Sequence, residues 1–331
     1  MTKARFYRFE MMRKRRIASA AKRVIGAKPR NSTVPMVHNL PPTPAFRDER
    51  PDSPISEIAL RVVVEFSGWQ LYVVGTATLI AGHVAITARH VLDYVVRTYG
   101  AKQKAGMQME IDGYELKLYQ VLPGPKYRIW RVCTAWVCAT DIVVLHLGLD
   151  RATLPDEKIE WRQLSLRVLP PPVGQKVIAF GYRESKINVT EGDDGTHHIE
   201  LNDRPTTSIG TVRQIYHSQR DAVMLSFPCF EVEARFDSGM SGGMVVDETG
   251  ALCGLICASL QNSDPSALPM SYVASLWPML KTVISVDRGD RYPRGVSYPM
   301  IDLVIDGLLR VNDFHELDPA QFPDKQLTLR R

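Results

Sequence analysis

From about residue 58 the chain runs as short stretches rich in valine, isoleucine and aromatic residues, each ended by a turn signal. ALRVVVEF, LYVVGTATLIAG and HVAIT follow one another, MQMEIDGYELKLYQVL turns at Asp112-Gly113, and IWRVCTAWV and DIVVLHL complete a first set. A proline break, LPPPVG, leads into a second set: KVIAFGY, TTSIGTVRQIY, AVMLSFPCFEVEARF, GGMVV and ALCGLICASL. β-Branched and aromatic side chains fit a pleated, half-buried surface, and many such runs at close spacing predict an all-β sandwich or barrel. The break near 169–173 divides that architecture into two β-halves. One later run, SYVASLWPMLKTVI, reads as a helix over about 271–283, with Pro278 kinking or dividing it.

The ends have a different texture. Residues 1–55 read as a basic, proline-containing tail, in which basic side chains from Lys3 to Arg30 face a single acid, Glu10, across the first 30 residues. The prolines of NLPPTPAFRDERPDSP argue against a regular helix or strand there. Three readings of the basic part stand: a disordered tail, an organelle-targeting presequence, or a contact with nucleic acid or an anionic membrane. Residues 286–331 form a C-terminal extension containing a short amphipathic candidate, YPMIDLVIDGLLRV.

At 331 residues the chain has ample length for a sizeable core. Its longest apolar stretches, such as IVVLHLGL, fall far short of a membrane span, so no transmembrane segment is expected. The formal charge of +5 is largely a property of the N-terminal tail. The five cysteines, Cys133, Cys138, Cys229, Cys253 and Cys257, are odd in number and contain no CxxC pair. They read as reduced thiols and give no disulfide framework or zinc site. No metal or cofactor is expected.

FDSGMSGGMVVDETGALCGLI, residues 236–256, sets a serine among glycines ahead of a strand and a turn. It reads equally as a flexible turn or as the seat of a nucleophile. A serine hydroxyl attacks only beside a base, usually histidine, and the imidazole needs a carboxylate to fix its tautomer. His90, in GHVAITARHVL, stands where an apolar strand turns into a helical segment, as a positioned base or a capped surface histidine. Asp141, in ATDIVVLHLGL, opens a strongly apolar strand, where a carboxylate is costly to bury without a partner. Asp93 and Asp112 are the competing carboxylates, in more polar surroundings.

Together these segments resemble the chymotrypsin-like (trypsin-like) serine proteases. GTATLIAGHVAITARHV is similar to the family's histidine segment, TDIVVLHL to its aspartate segment, and DSGMSGGMVVDETGALCGLI to its serine segment, in the family's order. VGQKVIAFGY and TTSIGTVRQIY resemble strands of its second barrel. The likeness runs from about 58 to 283 and implies an all-β fold of two packed six-stranded antiparallel β-barrels, with the C-terminal helix appended. It places barrel one at about 58–168 and barrel two at about 172–270, within a peptidase domain of 56–285. It further implies His90 as base and then acid, Asp141 as its support, Ser241 as nucleophile, and the N–H groups of Gly239 and Ser241 as the oxyanion hole.

The departures carry information. The family's secreted members place cysteines at positions held here by Val91 and Asp237, which removes two disulfides and favours a reducing compartment. Met240 replaces the aspartate of members activated by N-terminal cleavage, so the resemblance is to the non-zymogen bacterial and organellar type, without a PDZ module. By alignment Cys257, Ala258 and Ser259 line one wall of the primary specificity pocket. Arg235 falls near its base, as a cation favouring an acidic side chain or, turned outward, leaving a small apolar slot. His197 and His198 fall in a polar stretch read as a mobile surface loop near the site. The expected function is a serine endopeptidase acting on a restricted set of intracellular proteins, bacterial cytoplasmic or, through the basic N-terminus, organellar. Its expected partners are protein or peptide substrates, with a regulatory protein left open. The alternative is a catalytically silent trypsin-like fold acting as a protein-binding module.

Overall fold

The computed structural model describes residues 46–316, apart from 51–52, 68, 101, 104–108, 111–113, 123–125, 151–163, 194, 196, 261–267 and 287–294. A three-residue strand, β1 (Phe46–Asp48), precedes two β-barrels. The first is built from β2 (Ala59–Phe66), β3 (Gln70–Ala81), β4 (Val84–Ala88), β5 (Tyr114–Leu122), β6 (Lys126–Val137) and β7 (Ile142–Leu149). These pair antiparallel in the order β2-β3-β4-β7-β6-β5, and β5 returns to β2 to close the barrel. Its helix, α1 (Arg89–Tyr99), leaves directly from β4 and buries Val91, Leu92 and Val95. The VVV run of β2 is apolar throughout because both its faces are covered. Leu60, Val62 and Val64 enter the barrel core, whereas Val63 packs outside it with Leu71, Tyr119, Ile129 and Ile199.

The second half holds β8 (Ser165–Leu166), β9 (Lys176–Glu191), β10 (His197–Tyr216), β11 (Cys229–Glu233), β12 (Met244–Asp247), β13 (Leu252–Leu260) and β14 (Met270–Ser275). Six of these run β12-β9-β10-β11-β14-β13, and β12 also pairs with β13, so the path returns on itself. The all-β, two-barrel architecture expected from the sequence is the one observed. At the edge, β8 lies parallel to β13, and β15 (Arg310–Val311) lies parallel to β8. The amphipathic candidate in the C-terminal extension forms α2 (Met300–Ile305), whose Met300 and Leu303 join the core around Met279 and Leu280.

Three local expectations are corrected. The helix over 271–283 does not form: Met270–Ser275 is a strand, and Trp277–Lys281 is a single 3-10 turn with Pro278 in its first turn. Partners on both sides decide this, since Tyr272 pairs with Glu231 of β11 and with Ala258 of β13, and a two-sided ladder outweighs local helical spacing. The proline-containing tail does supply a strand, β1, in its proline-free stretch Phe46–Asp48. The stretch around His197 and His198 is not a mobile loop. It belongs to the long β9–β10 hairpin, paired as far as Glu191↔His197, with Trp69 stacked on His197 at 4.4 Å.

That hairpin binds the barrels together. Ile199, Ile187 and Val189 pack on the Val63 face of barrel one. Beside them Arg61 of β2, fully buried, forks onto Asp203 of β10 and lies 3.7 Å from the centre of the Tyr182 ring. Tyr182 Oη in turn donates to Ala59 O at 2.9 Å. The basic stretch of residues 1–45 lies outside the described residues.

Candidate active site

β4 and β7 pair in register up to Ala88↔Ile142, which sets the residues just beyond, Arg89 and Asp141, opposite one another. Arg89 N–H donates to Asp141 O at 3.2 Å, and the backbone N–H of His90 donates to Asp141 Oδ1 at 2.9 Å. The second carboxylate oxygen, Oδ2, lies 2.7 Å from His90 Nδ1. A carboxylate only accepts, so Nδ1 carries the proton, and in the neutral imidazole the lone pair falls on Nε2. Asp141 is 8% exposed, while the His90 side chain is 39% exposed and turned to solvent. The partner that the buried aspartate requires is therefore His90, and Asp93, held to Arg89 on the helix surface, is not in competition. Asp112 lies outside the described residues.

Ser241 belongs to barrel two, but its backbone is docked on barrel one. Thr76 N–H donates to Ser241 O at 2.9 Å. Gly242 has φ +79°, and a Cβ there would come within 2.2 Å of Thr76 O, 2.3 Å of Thr87 Oγ1 and 2.8 Å of Ala88 N. Only glycine permits that approach, and Ala88 is two residues from His90. The structure thus joins His90 to Asp141 directly and brings the serine backbone to the strand end that carries the histidine. Among the described residues Ser241 Oγ makes no hydrogen bond, so its hydroxyl is uncommitted.

The loop before the serine is a tight turn. Met240 N–H donates to Asp237 O at 3.1 Å and Gly243 N–H to Met240 O at 2.8 Å. The N–H groups on either side of Met240, those of Gly239 and Ser241, have no partner among the described residues. Gly239, at φ +91°, passes so close to Tyr182 O that a Cβ would sit 2.5 Å from it. Its carbonyl accepts from Thr76 Oγ1 at 2.9 Å, and Thr76 Oγ1 in turn accepts from Tyr182 N–H at 3.2 Å. Met240, fully buried, packs with Phe236 and Val245.

The four residues aligned with the specificity pocket divide. Cys257 is buried on β13 and donates its thiol to Tyr272 O at 3.1 Å, while burial, reinforced by the charge of Asp141, pushes that thiol well up. Ala258 is half-buried and Ser259 exposed, with Ser259 Oγ 3.0 Å from Ser271 Oγ. Arg235 is not a free cation: its Nε reaches Asp237 Oδ1 at 2.7 Å and its Nη2 reaches Oδ2 at 3.3 Å. Arg183 takes the same carboxylate at 2.7 Å.

Sequence reasoning missed Thr76, Arg183 and the role of Asp237. Two threonines, Thr76 and Thr78, within the buried GTATLI strand are the available signal for the first; nothing local marks Arg183, because its partner lies over fifty residues away. His197 and His198 do not gather ligands, and no cluster that could hold a metal occurs among the described residues.

The family profile of the trypsin-like peptidase domain matches residues 75–255, more than half of the chain. The chain belongs to the trypsin-like peptidases. The peptidase is accordingly a serine endopeptidase, a hydrolase of peptide bonds. A search of curated protein sequences finds no match. Among solved structures, the active form of the Rv3671c protease of M. tuberculosis is 14% identical, covers 80% of this chain and 96% of that one, and has a TM-score of 0.41. The inactive form of that protease is 15% identical over 68% and 86%, with a TM-score of 0.39. The serine endoprotease of Yersinia pestis is 12% identical over 66% and 59%, with a TM-score of 0.37. No helix among the described residues of the peptidase is long and apolar enough to cross a membrane.

Proposed function

We propose that this peptidase cleaves its substrates through an acyl-enzyme, with His90, Asp141 and Ser241 as its triad. His90 Nε2 takes the Ser241 proton as Oγ attacks the scissile carbonyl, and Asp141 stabilises the imidazolium that forms. The N–H groups of Gly239 and Ser241 receive the developing oxyanion. His90 then returns the proton to the leaving amine and activates the water that releases the acyl group. The observation that carries this reading is the Asp141 carboxylate, almost buried, which accepts from both the backbone and the ring of His90. The two unengaged N–H groups flanking Met240 support it.

The pocket residues favour a small, uncharged side chain at the cleavage site. The charge of Arg235 is already met by Asp237, and the Cys257–Ala258–Ser259 wall is made of small residues. All five cysteines are free thiols, which supports action in a reducing, intracellular compartment. The catalytic unit we propose exceeds 56–285, because β1, α2 and β15 pack or pair with barrel two.

The test is hydrolysis of denatured casein and of a fluorogenic peptide library by the full chain beside Ser241→Ala and His90→Ala. We expect turnover by the wild type and a fall of at least about 1,000-fold in each variant. Turnover undiminished in Ser241→Ala refutes the triad. A wild type that binds peptides without cleaving them identifies a binding module instead.

A further inference from the structure

We propose that the strand upstream of the first barrel is a positioning element for the catalytic loop, and that Phe46 is the residue through which it acts. The inference rests on the Ser241 reading above and adds a residue that the alignment does not reach.

Strand β1 fills the free edge of β10 where β11 does not extend, in the register Phe46↔Ser208 to Asp48↔Thr206. It is well anchored: Glu49 N–H donates to Pro205 O at 2.7 Å, Thr207 Oγ1 donates to Glu49 Oε1 at 2.9 Å, and Arg204 pairs with Asp48 at 2.8 Å. This fixes the Phe46 ring beside two guanidinium groups, with Arg183 Cζ 3.9 Å from its centre and Arg235 Cζ 5.3 Å away. Both cations hold one carboxylate, Asp237. Arg183 also reaches the exposed carboxylate of Glu184, at 3.8 Å, and the negative face of the ring adds a further attraction that holds both guanidinium groups in place.

Asp237 begins the catalytic loop. Its carbonyl receives Met240 N–H, and the next turn carries Gly239 against Tyr182 O and near the Cα of Arg183. Arg183 itself sits where the β9–β10 ladder slips, between Arg183 and Lys186, with Glu184 at φ +53°. Arg183 is thus the last paired residue, opposite Arg204, before the slip. A path of contacts runs from Phe46 through the two arginines to Asp237, and so to the Gly239 N–H that the oxyanion needs. Met240 holds the turn through its N–H and its sulfur, which accepts from Asp237 N–H at 3.4 Å, but being uncharged it gives the Asp237 carboxylate no partner.

The experiment compares Phe46→Ala, Phe46→Leu and Phe46→Trp in the full chain, beside wild type and Ser241→Ala. It reads kcat and KM on a cleaved peptide, inhibition by a peptide aldehyde that forms a tetrahedral adduct, and thermal unfolding. For Phe46→Ala and Phe46→Leu we expect kcat to fall about 10-fold or more, part of the roughly 100- to 1,000-fold that a lost oxyanion donor costs. KM stays within about threefold, and aldehyde affinity falls in parallel with kcat. Phe46→Trp, which keeps the aromatic face, restores kcat to within about twofold. Should Phe46→Ala fail to fold, Phe46→Leu, which keeps the apolar bulk, decides. Wild-type kcat in Phe46→Leu, or a change confined to KM, overturns the proposal and leaves the triad reading intact. A wild type no more active than Ser241→Ala overturns both.

Discussion

Thr76→Val removes one oxygen and keeps the shape of the side chain. That hydroxyl, fully buried, donates to Gly239 O at 2.9 Å and accepts from Tyr182 N–H at 3.2 Å. The Tyr182 N–H has no other recourse, because the carbonyl of its ladder partner Pro205 faces β1, where it accepts from Glu49 N–H at 2.7 Å, and the residue is buried. Orphaning it costs about 1–3 kcal/mol. Gly239 is half-buried as a residue, so its carbonyl is taken to add less, and the combined loss of stability is about 2–4 kcal/mol. Loss of that bond also frees Gly239 to rotate out of the position from which we propose that its N–H serves the oxyanion. We therefore expect kcat to fall roughly 100-fold or more, as for loss of one donor. Thr76→Ser, which keeps the hydroxyl, is expected to retain most of the activity. Urea unfolding and steady-state kinetics on the full chain check both numbers. A Thr76→Val enzyme with kcat within about threefold of wild type and less than about 0.5 kcal/mol of lost stability refutes the reasoning, since a satisfied buried network cannot be removed at that cost.

Other perturbations test other joints. Asp203→Ala leaves the Arg61 guanidinium buried without its carboxylate, and urea unfolding is expected to show a loss of about 3–5 kcal/mol; a loss under about 1 kcal/mol contradicts the buried pair. Gly242→Ala drives a methyl group into Thr76 O and Thr87 Oγ1, displacing Ser241 from the strand end of His90, and should lower kcat about 100-fold or more in kinetic assays. Asp141→Asn loses the acceptor that fixes the His90 tautomer, and kcat is expected to drop on the order of 10,000-fold with little change in KM. Asp221 accepts from Met224 N–H at 2.6 Å and Val223 N–H at 2.9 Å, which lower its carboxyl to about 2. Because the folded value lies below the unfolded one of about 3.9, the turn at 221–225 is stabilised fully above that pH and loses the benefit as pH falls through about 2. A carboxyl NMR titration of Asp221 with a midpoint near 4 would contradict this.

Much of the fold was readable because strand signals and long-range pairing agree in most places. The VVV, DIVVLHL and ALCGLI runs are apolar enough to be buried strands, VVV on both its faces, and the His, Asp and Ser segments sit at strand ends where their backbones are fixed. Misreadings arose where the deciding partner is distant in sequence. Residues 270–275 carry a helical spacing, yet β11 and β13 claim them from both sides. The alternation of Ile187 with Val189 and of Ile199 with Leu201 marks strands, but its polar half masked the hairpin until Trp69 and Val63 were seen to cover it. The position of Arg235 in an alignment with the family says nothing of its rotamer. Asp237 and Phe46 turn it away from duty as an unpaired cation. The cross-barrel work of Thr76 depends on the meeting of β3, β9 and the serine loop, a geometry that no local window contains.

The central claim is that an activated hydroxyl stands at Ser241. Incubating the full-length protein with a fluorophosphonate and mapping the adduct by mass spectrometry addresses it most directly. The account predicts one phosphonyl group per chain, on Ser241, formed far more slowly when His90 is replaced by alanine. Folded wild-type protein that stays unmodified, or that carries the adduct on another residue, contradicts it.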